Sequence, residues 1–450
     1  MKNLDRRDFL KVMGLGAASF AVPGCKSSSK EMRKRPNIVF IMADDVGREV
    51  LGCYGGTSYK TPNLDKLAET GIRFTHCYSS PVCAPSRVKI MTGRYGFRNY
   101  KRWGHIPPEE ITFGHILKDA GYATALAGKW QMVLQKKDPD HVTKMGFERN
   151  AVFGWHEGPR YHGPLIYENG KLRQEAEDKY GPDIFCQFII DFIKRNKDGP
   201  FLAYYSMALA HAISNDLKIP PPTGPGGRYQ SYKELAEYMD VLVGRIVSTL
   251  DKLNLRENTL ILYTADNGTP REFITRVVNG KYKEEPISSK LGDKTVVGGK
   301  GKLTDAGTRV PLIANWPAPL ETRKEQALTG PGTTPIGKVC DDLIDFSDFM
   351  PTFAELAGTK VPDVAIDGRS FVPQLRGEKG NPRDWAYCQW EGKAWVRTKK
   401  WKLYRDGRLY EMGKDPLEKS PILPGNDTAD SSVVRKKLQM VFDDLKRTEG

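Results

Sequence analysis

The sequence predicts an α/β protein: a large mixed, mostly parallel sheet flanked by helices, then a smaller C-terminal antiparallel sheet plus helix. Three observations predict it. The segments NIVFIMADD, PFLAYYSMALAH and NTLILYTADNG carry continuous apolar runs of strand length, the pattern of strands buried on both faces. Helical segments with a Gly turn alternate with them, as crossover connections require. From about residue 380 the pattern becomes aromatic, alternating and punctuated by turns (WAYCQWEGKAWVRTKKWKLYRDGRLYEM), which reads as antiparallel sheet. A chain of 450 residues has room for one large α/β domain and a smaller one.

In chain order, the strand at 38–42 runs into Asp44-Asp45. TPNLDKLAETG follows as a helix, with Thr61 as its cap and Gly71 as its stop. Cys83 opens the next helix, Pro85 suits its first turn and Gly93 ends it. GHILKDAGYATALAGKW reads as helix, Gly turn and a short strand ending at Lys129. PFLAYYSMALAH ends near His211, and SYKELAEYMDVLVGRIVSTLDKLNL is a long amphipathic helix. NTLILYTADNG ends in Asp266-Asn267-Gly268. Residues 212–228 and 270–298 read as long loops, and SSVVRKKLQMVFDDLKR closes the chain as an amphipathic helix. Polar residues thus stand just past several strands. In a parallel sheet those ends share one edge, where ligands gather.

The net charge of +14 marks a basic surface suited to an acidic partner: a sulfated or carboxylated polymer, a phosphate compound or nucleic acid. There is no basic-aromatic nucleic-acid motif, so a nucleic-acid partner is not expected. Arg6-Arg7 before Phe9-Leu10-Lys11, a short apolar run and AVPGC are similar to a twin-arginine (Tat) lipoprotein signal. The expected organisation is a signal over 1–24, a tether over 25–35, a catalytic domain over 36–378 and a C-terminal α+β subdomain over 379–450. The mature protein is then exported, periplasmic or at the cell surface, and meets the membrane only through a lipid anchor on Cys25. The other six cysteines are irregularly spaced, with no metal-type pair and no disulfide framework.

Two adjacent pairs of hard oxygen donors, Asp44-Asp45 and Asp266-Asn267, point to Ca²⁺ or Mg²⁺ rather than zinc. Cys83 at a helix N-terminus, with Arg87 one turn on, stands where an oxyanion binds or a thiolate is favoured.

CAPSRVKIMTGR resembles the signature of the type I sulfatases, Cys-x-Pro-Ser-Arg followed by Thr-Gly-Arg. NIVFIMADDVGREVLGCYGG resembles that family's opening strand, and LKDAGYATALAGKW, YTADNG, GGKGKLTDAGTRVPLIANWP and DFSDFMPTFAELAG follow the signature in the family's order. The resemblance implies an alkaline-phosphatase-like fold and sulfate-ester hydrolysis. It implies that a separate formylglycine-generating enzyme oxidises Cys83 to formylglycine. One hydroxyl of the hydrated aldehyde then attacks sulfur, and loss of a proton from the other expels sulfate. It also implies one Ca²⁺ held by Asp44, Asp45, Asp266 and Asn267 with the modified Cys83. Arg87 would hold the diol, Lys129 and Lys300 would bind sulfate and ease departure of the alcohol, and His211 would contact sulfate or protonate the leaving group. Charge and compartment favour a sulfated glycan or oligosaccharide as substrate.

One position departs from the pattern. The family commonly reads Gly-Lys-Trp-His, and this chain reads GKWQ, placing neutral Gln131 at the substrate. Either His141 or His105 compensates, or the pocket serves another geometry. Phosphoester or phosphonate-ester hydrolysis on the same scaffold, and a non-catalytic sulfoglycan-binding role, are the alternatives.

Overall fold

The computed structural model describes residues 35–213, 217–317 and 334–448. The expected signal over 1–24, and all of the expected tether except Arg35, lie outside the described residues. Arg35 stacks over the Tyr122 ring, 5.6 Å from its centroid.

The main sheet has ten strands. They are β1 (Asn37–Ala43), β2 (Ile72–Tyr78), β3 (Ala123–Gly128), β4 (Arg149–Phe153), β5 (Ile166–Glu168), β6 (Lys171–Leu172), β7 (Phe201–Ser206) and β8 (Thr259–Ala265). After a hairpin of β9 (Glu272–Val278) and β10 (Lys281–Pro286), and a second of β11 (Ser288–Leu291) and β12 (Lys294–Val297), come β13 (Arg309–Asn315) and β14 (Lys338–Asp345). The order across the sheet is β14-β2-β13-β8-β1-β7-β3-β4-β5-β6.

The centre is parallel, as the apolar runs predict: β1 pairs with β7 and β8, and β3 with β7 and β4. Every residue of β1, β7 and β8 is buried. Strand β13 enters antiparallel between β8 and β2 and makes the sheet mixed. Met42 lies opposite both Ser206 and Thr264, and Gly128 opposite Ser206. The four central strands therefore end level, and the residues just past them share one edge.

Two expectations need correction. Thr61 precedes the helix Pro62–Glu69 but does not cap it. The orphan N–H groups of Asn63 and Leu64 donate instead to the Asp240 carboxylate at 3.0 and 2.8 Å, from the long helix Tyr232–Lys252. That helix stops at Glu69, and Gly71 serves the turn into β2, where a Cβ would lie 2.3 Å from the Ala314 carbonyl oxygen. Residues 270–298 are not a loop but largely the two hairpins. Sequences such as KYKEEP carry no apolar period, because backbone pairing rather than burial holds these strands.

The C-terminal sheet forms as expected from β15 (Ala386–Trp390), β16 (Lys393–Arg397), β17 (Trp401–Tyr404) and β18 (Leu409–Glu411). The helix Ala429–Arg447 packs Leu438, Phe442 and Leu445 against Val396, Leu403 and Leu409. One buried ion pair, Arg383–Asp348 at 2.5 Å, fastens this layer to the turn after β14, and a second, Lys89–Asp345 at 2.8 Å, joins the Cys83 helix to the end of β14. Lys89 also donates to the Tyr387 carbonyl at 3.0 Å, so the Cys83 helix, the end of β14 and β15 meet at one ammonium.

Lys89→Ala leaves the Asp345 charge buried without its partner. The expected loss is about 3–5 kcal/mol, measured by chemical unfolding. Lys66→Ala, which breaks an exposed pair with Glu69, should leave the unfolding midpoint unchanged.

Candidate active site and metal centre

The helix Cys83–Thr92 begins after extended Val82 and ends at Gly93, whose φ of 69° is the left-handed conformation glycine tolerates best. The Ser86 hydroxyl accepts from Ser80 N at 3.0 Å and lies 2.9 Å from the Val82 carbonyl. It fastens the preceding turn to the helix and so holds Cys83 at the N-terminus. Cys83 is 3% exposed. The Pro81 carbonyl accepts from Gly301 N at 2.8 Å, which brings the Lys300 segment alongside.

Strand ends β1 and β8 deliver the acidic groups. Successive side chains on a strand point to opposite faces. Asp45 leaves β1 with a φ of +62°, a turn Asp adopts more readily than most residues, and both carboxylates reach the same site. Asp45 N donates to Asp266 Oδ1 at 3.1 Å. Asn267 Nδ2 donates to Asp45 Oδ1 at 2.7 Å and to the Gly268 carbonyl at 2.9 Å, leaving its oxygen facing the other way.

Each carboxylate has a cation. Arg87 Nε and Nη2 donate to Asp266 Oδ2 at 2.9 and 2.7 Å. Lys129 Nζ donates to Asp44 Oδ2 at 2.6 Å, and Lys300 Nζ to Asp45 Oδ2 at 2.6 Å. Burial pushes Asp44 up, but Lys129, with His211, Arg87 and Lys300, outweighs it and holds Asp44 below the usual carboxylate range. Burial and then the Asp44 charge raise Asp266 to about 6, against the pull of Arg87 and Lys129. The two buried carboxyls are too close to ionise with equal ease.

The donor set fits a hard divalent cation. Asp44, Cys83 and Asp266 each offer a ligand atom, all within 4.8 Å of one another, and Asp44, Asp45 and His211 form an overlapping group. Asp44 Oδ1 and Asn267 Oδ1 are buried with no hydrogen-bond partner. Orphaned buried oxygens are costly unless something binds them, and oxygen-rich sets suit Ca²⁺ or Mg²⁺.

His211 stands at the rim, its Nε2 3.8 Å from Asp45 Oδ2. Its Nδ1 lies 2.5 Å from the Ala212 carbonyl. A carbonyl only accepts, so Nδ1 carries the proton and Nε2 presents a lone pair. Burial and then Lys300 push His211 well below its usual value, against Asp44, so the ring is neutral near pH 7.

Gln131 is buried, has a φ of +59°, and its Oε1 has no partner. His141 accepts from Trp130 Nε1 at 3.1 Å, and its charged neighbours are Asp138, His105 and Lys144. It supports Trp130, the neighbour of Gln131, and its Nε2 is buried with no hydrogen-bond partner.

Sequence reasoning missed two groups. Ser206 ends β7, accepts from Arg87 Nη1 and donates to the Lys129 carbonyl at 2.6 Å, joining two site residues. Its signal, a polar residue closing an apolar run, was present. Arg160 is 8% exposed, has an unpartnered Nη1 and lowers His211 electrostatically. It comes from a segment with no motif, and only the fold brings it near.

The family model described as Sulfatase matches residues 36–359. This chain belongs to the sulfatase family. Sulfatases are sulfuric ester hydrolases, and their sites generally pair a formylglycine with a divalent metal. The chain is 29% identical to human arylsulfatase A over 90% of this chain and 87% of that one. It is 27% identical to the N-acetylgalactosamine-6-sulfatase of Canis lupus familiaris, covering 92% and 84%. Among solved structures, one from work on glycosaminoglycan metabolism by Bacteroides thetaiotaomicron superposes with a TM-score of 0.72, at 22% identity, covering 92% of this sulfatase and all of that chain. A phosphonate monoester hydrolase of Agrobacterium radiobacter superposes at 0.64, with 19% identity and coverage of 92% and 96%. These two share the alkaline-phosphatase-like fold.

With the Asp266 pKa raised to about 6, the metal-free sulfatase holds a proton there that the unfolded chain would lose nearer pH 4. Asp266 therefore contributes stability below pH 4 that is lost as pH rises through 6. A divalent cation must displace that proton. Ca²⁺ affinity should rise about tenfold between pH 5 and pH 7, with proton release seen by calorimetry in buffers of different ionisation enthalpy. Asp266→Asn should bind more weakly and lose that proton release.

Proposed function

We propose that this sulfatase hydrolyses a sulfate ester on a sulfated glycan or oligosaccharide, using formylglycine made from Cys83 and one Ca²⁺. The observation that carries the reading is the placement of Cys83: at a helix N-terminus, within 4.8 Å of ligand atoms of Asp44 and Asp266, beside two buried ion pairs and the half-buried Lys300–Asp45 pair. Sulfated sugars are favoured by the basic surface and by the relative named N-acetylgalactosamine-6-sulfatase.

Asp44, Asp45, Asp266 and Asn267 would hold the Ca²⁺, which supplies Lewis-acid polarisation of sulfate when bound. Arg87 is clamped by Asp266 and Ser206 and holds the oxygens borne by residue 83. Lys129 and Lys300, freed from Asp44 and Asp45, bind sulfate oxygens and stabilise the departing alcohol. His211 begins neutral, so protonating a leaving group requires that it first take up a proton. Cys83 needs a formylglycine-generating enzyme as partner. Export by the Tat route and anchoring at Cys25 belong to the same reading, supported by residues 1–25 and tested by membrane fractionation. Sulfate esters are preferred over phosphoesters or phosphonates because the sequence relatives at 27–29% identity are sulfatases.

Cys83→Ala should abolish sulfate release while leaving the fold intact. Cys83→Ser should stall after one turnover, because a single hydroxyl can be sulfated but cannot expel sulfate by re-forming an aldehyde. Mass analysis of the peptide containing residue 83 should find aldehyde; full activity with an unmodified thiol would refute the mechanism.

Gln131 gives the pocket a neutral amide where a charged donor is usual, and we read it as a pocket shaped for a different substrate geometry. Histidine tolerates the left-handed backbone there. Gln131→His is expected to lower kcat/KM on a sulfated oligosaccharide without raising it on an aryl sulfate. A gain on both would show that Gln131 is only a weakened sulfate contact.

A further inference from the structure

We propose that the groove between loop 95–103 and the β15–β16 turn binds an anionic oligosaccharide, holding the sugar units beyond the one that carries the reacting sulfate ester. The inference rests on the sulfatase reading and adds the extended form of the substrate and the surface that takes it.

The groove encloses about 520 Å³. It starts at the catalytic helix, where Ser80 and Pro85, on either side of Cys83, line it. Tyr100 lines it too, its hydroxyl accepting from Gly104 N at 3.1 Å. The far end is aromatic. Trp103, which is 45% exposed, packs edge-to-face against Trp390, with ring centroids 5.8 Å apart and planes at 63°, and both line the groove. They come from separate parts of the chain, the loop after the catalytic helix and the end of β15. With Trp390, Trp103 makes an exposed aromatic platform on an otherwise basic wall. Indole faces take the C–H faces of sugar rings, with the N–H left for a hydroxyl.

The charges select the kind of sugar. Lys101, Arg102 and Lys393 are exposed on the groove wall, and Arg405 lines it while stacking on Phe442 at 5.7 Å. Glu391 is the single carboxylate among the lining residues, and the fifth cation, Lys89, is buried against Asp345. Such a wall suits repeated sulfate or carboxylate groups and is poorly matched to a neutral glycan. Aromatic platforms between separated cations match a chain of rings bearing charges at intervals. A small aryl sulfate has nothing to place there.

The test separates binding from turnover. Full-length Cys83→Ala protein is titrated calorimetrically with sulfated chondroitin and heparin hexasaccharides, unsulfated chondroitin hexasaccharide, a sulfated monosaccharide and a polyglutamate peptide. At least one sulfated hexasaccharide should bind more tightly than the monosaccharide and the unsulfated chain. Adding Trp103→Ala, or Lys101→Ala with Arg102→Ala, should weaken it about tenfold while leaving the monosaccharide unchanged. In the matured enzyme the same groove variants should raise KM for the hexasaccharide and leave aryl sulfate turnover intact. The proposal is overturned if no hexasaccharide binds better than the monosaccharide, if the groove variants bind like the parent, or if polyglutamate binds equally well. Hexasaccharide binding by Cys83→Ala, with no sulfate release by matured wild type, would refute the catalytic reading and leave the groove standing.

Discussion

Three buried carboxylates and three cations face one another at the carboxyl edge of the sheet, and the balance between them constrains everything around the site. Any one of these charges left alone inside the protein would cost several kcal/mol. Paired as Asp44–Lys129, Asp45–Lys300 and Asp266–Arg87, they neutralise each other. On the proposed reading the pairs are exchangeable: a divalent cation would take the carboxylates and an anionic sulfate ester the lysines, and the incoming charges would partly offset one another.

That balance needs a scaffold that ends level. Four central strands stop in register, so groups distant in sequence meet without long loops. Where strand geometry would send neighbours to opposite faces, left-handed backbone at Asp45 turns both aspartates inward. Gln131, just past the end of β3, shares that conformation. Serines do the fastening: Ser86 ties the turn before Cys83 to its helix, and Ser206 bonds Arg87 and the Lys129 carbonyl.

Chemistry and recognition are divided between layers. The parallel centre carries the charged core, which a sulfatase needs for any sulfate ester. The β15–β16 turn and loop 95–103 form the groove wall, and the two β-hairpins after β8 are two-stranded sheets of their own. Lys89 of the catalytic helix pairs with Asp345 at the end of β14 and donates to the Tyr387 carbonyl of β15, and Arg383 pairs with Asp348, so the C-terminal layer is tied to both the catalytic helix and the flank of the main sheet.

Much of this was legible in the chain itself. Unbroken apolar runs specify strands covered on both faces, and parallel strands bring their ends together, so Asp44, Asp45, Lys129, Asp266 and Asn267 could be assembled before any coordinates. CAPSRVKIMTGR specified both the helix and the family, because the Ser86 bonds and the Gly93 stop are local. Other features were not legible, for the opposite reason. Asp240 capping a helix nearly two hundred residues earlier, Arg160 near His211, and Trp103 against Trp390 all depend on contacts between distant segments. Hairpins built from lysine and glutamate leave no apolar period to read. Which protonation state His211 holds, and which of two close aspartates keeps its proton, were decided by burial and by neighbouring charges, quantities that exist only once the chain has folded.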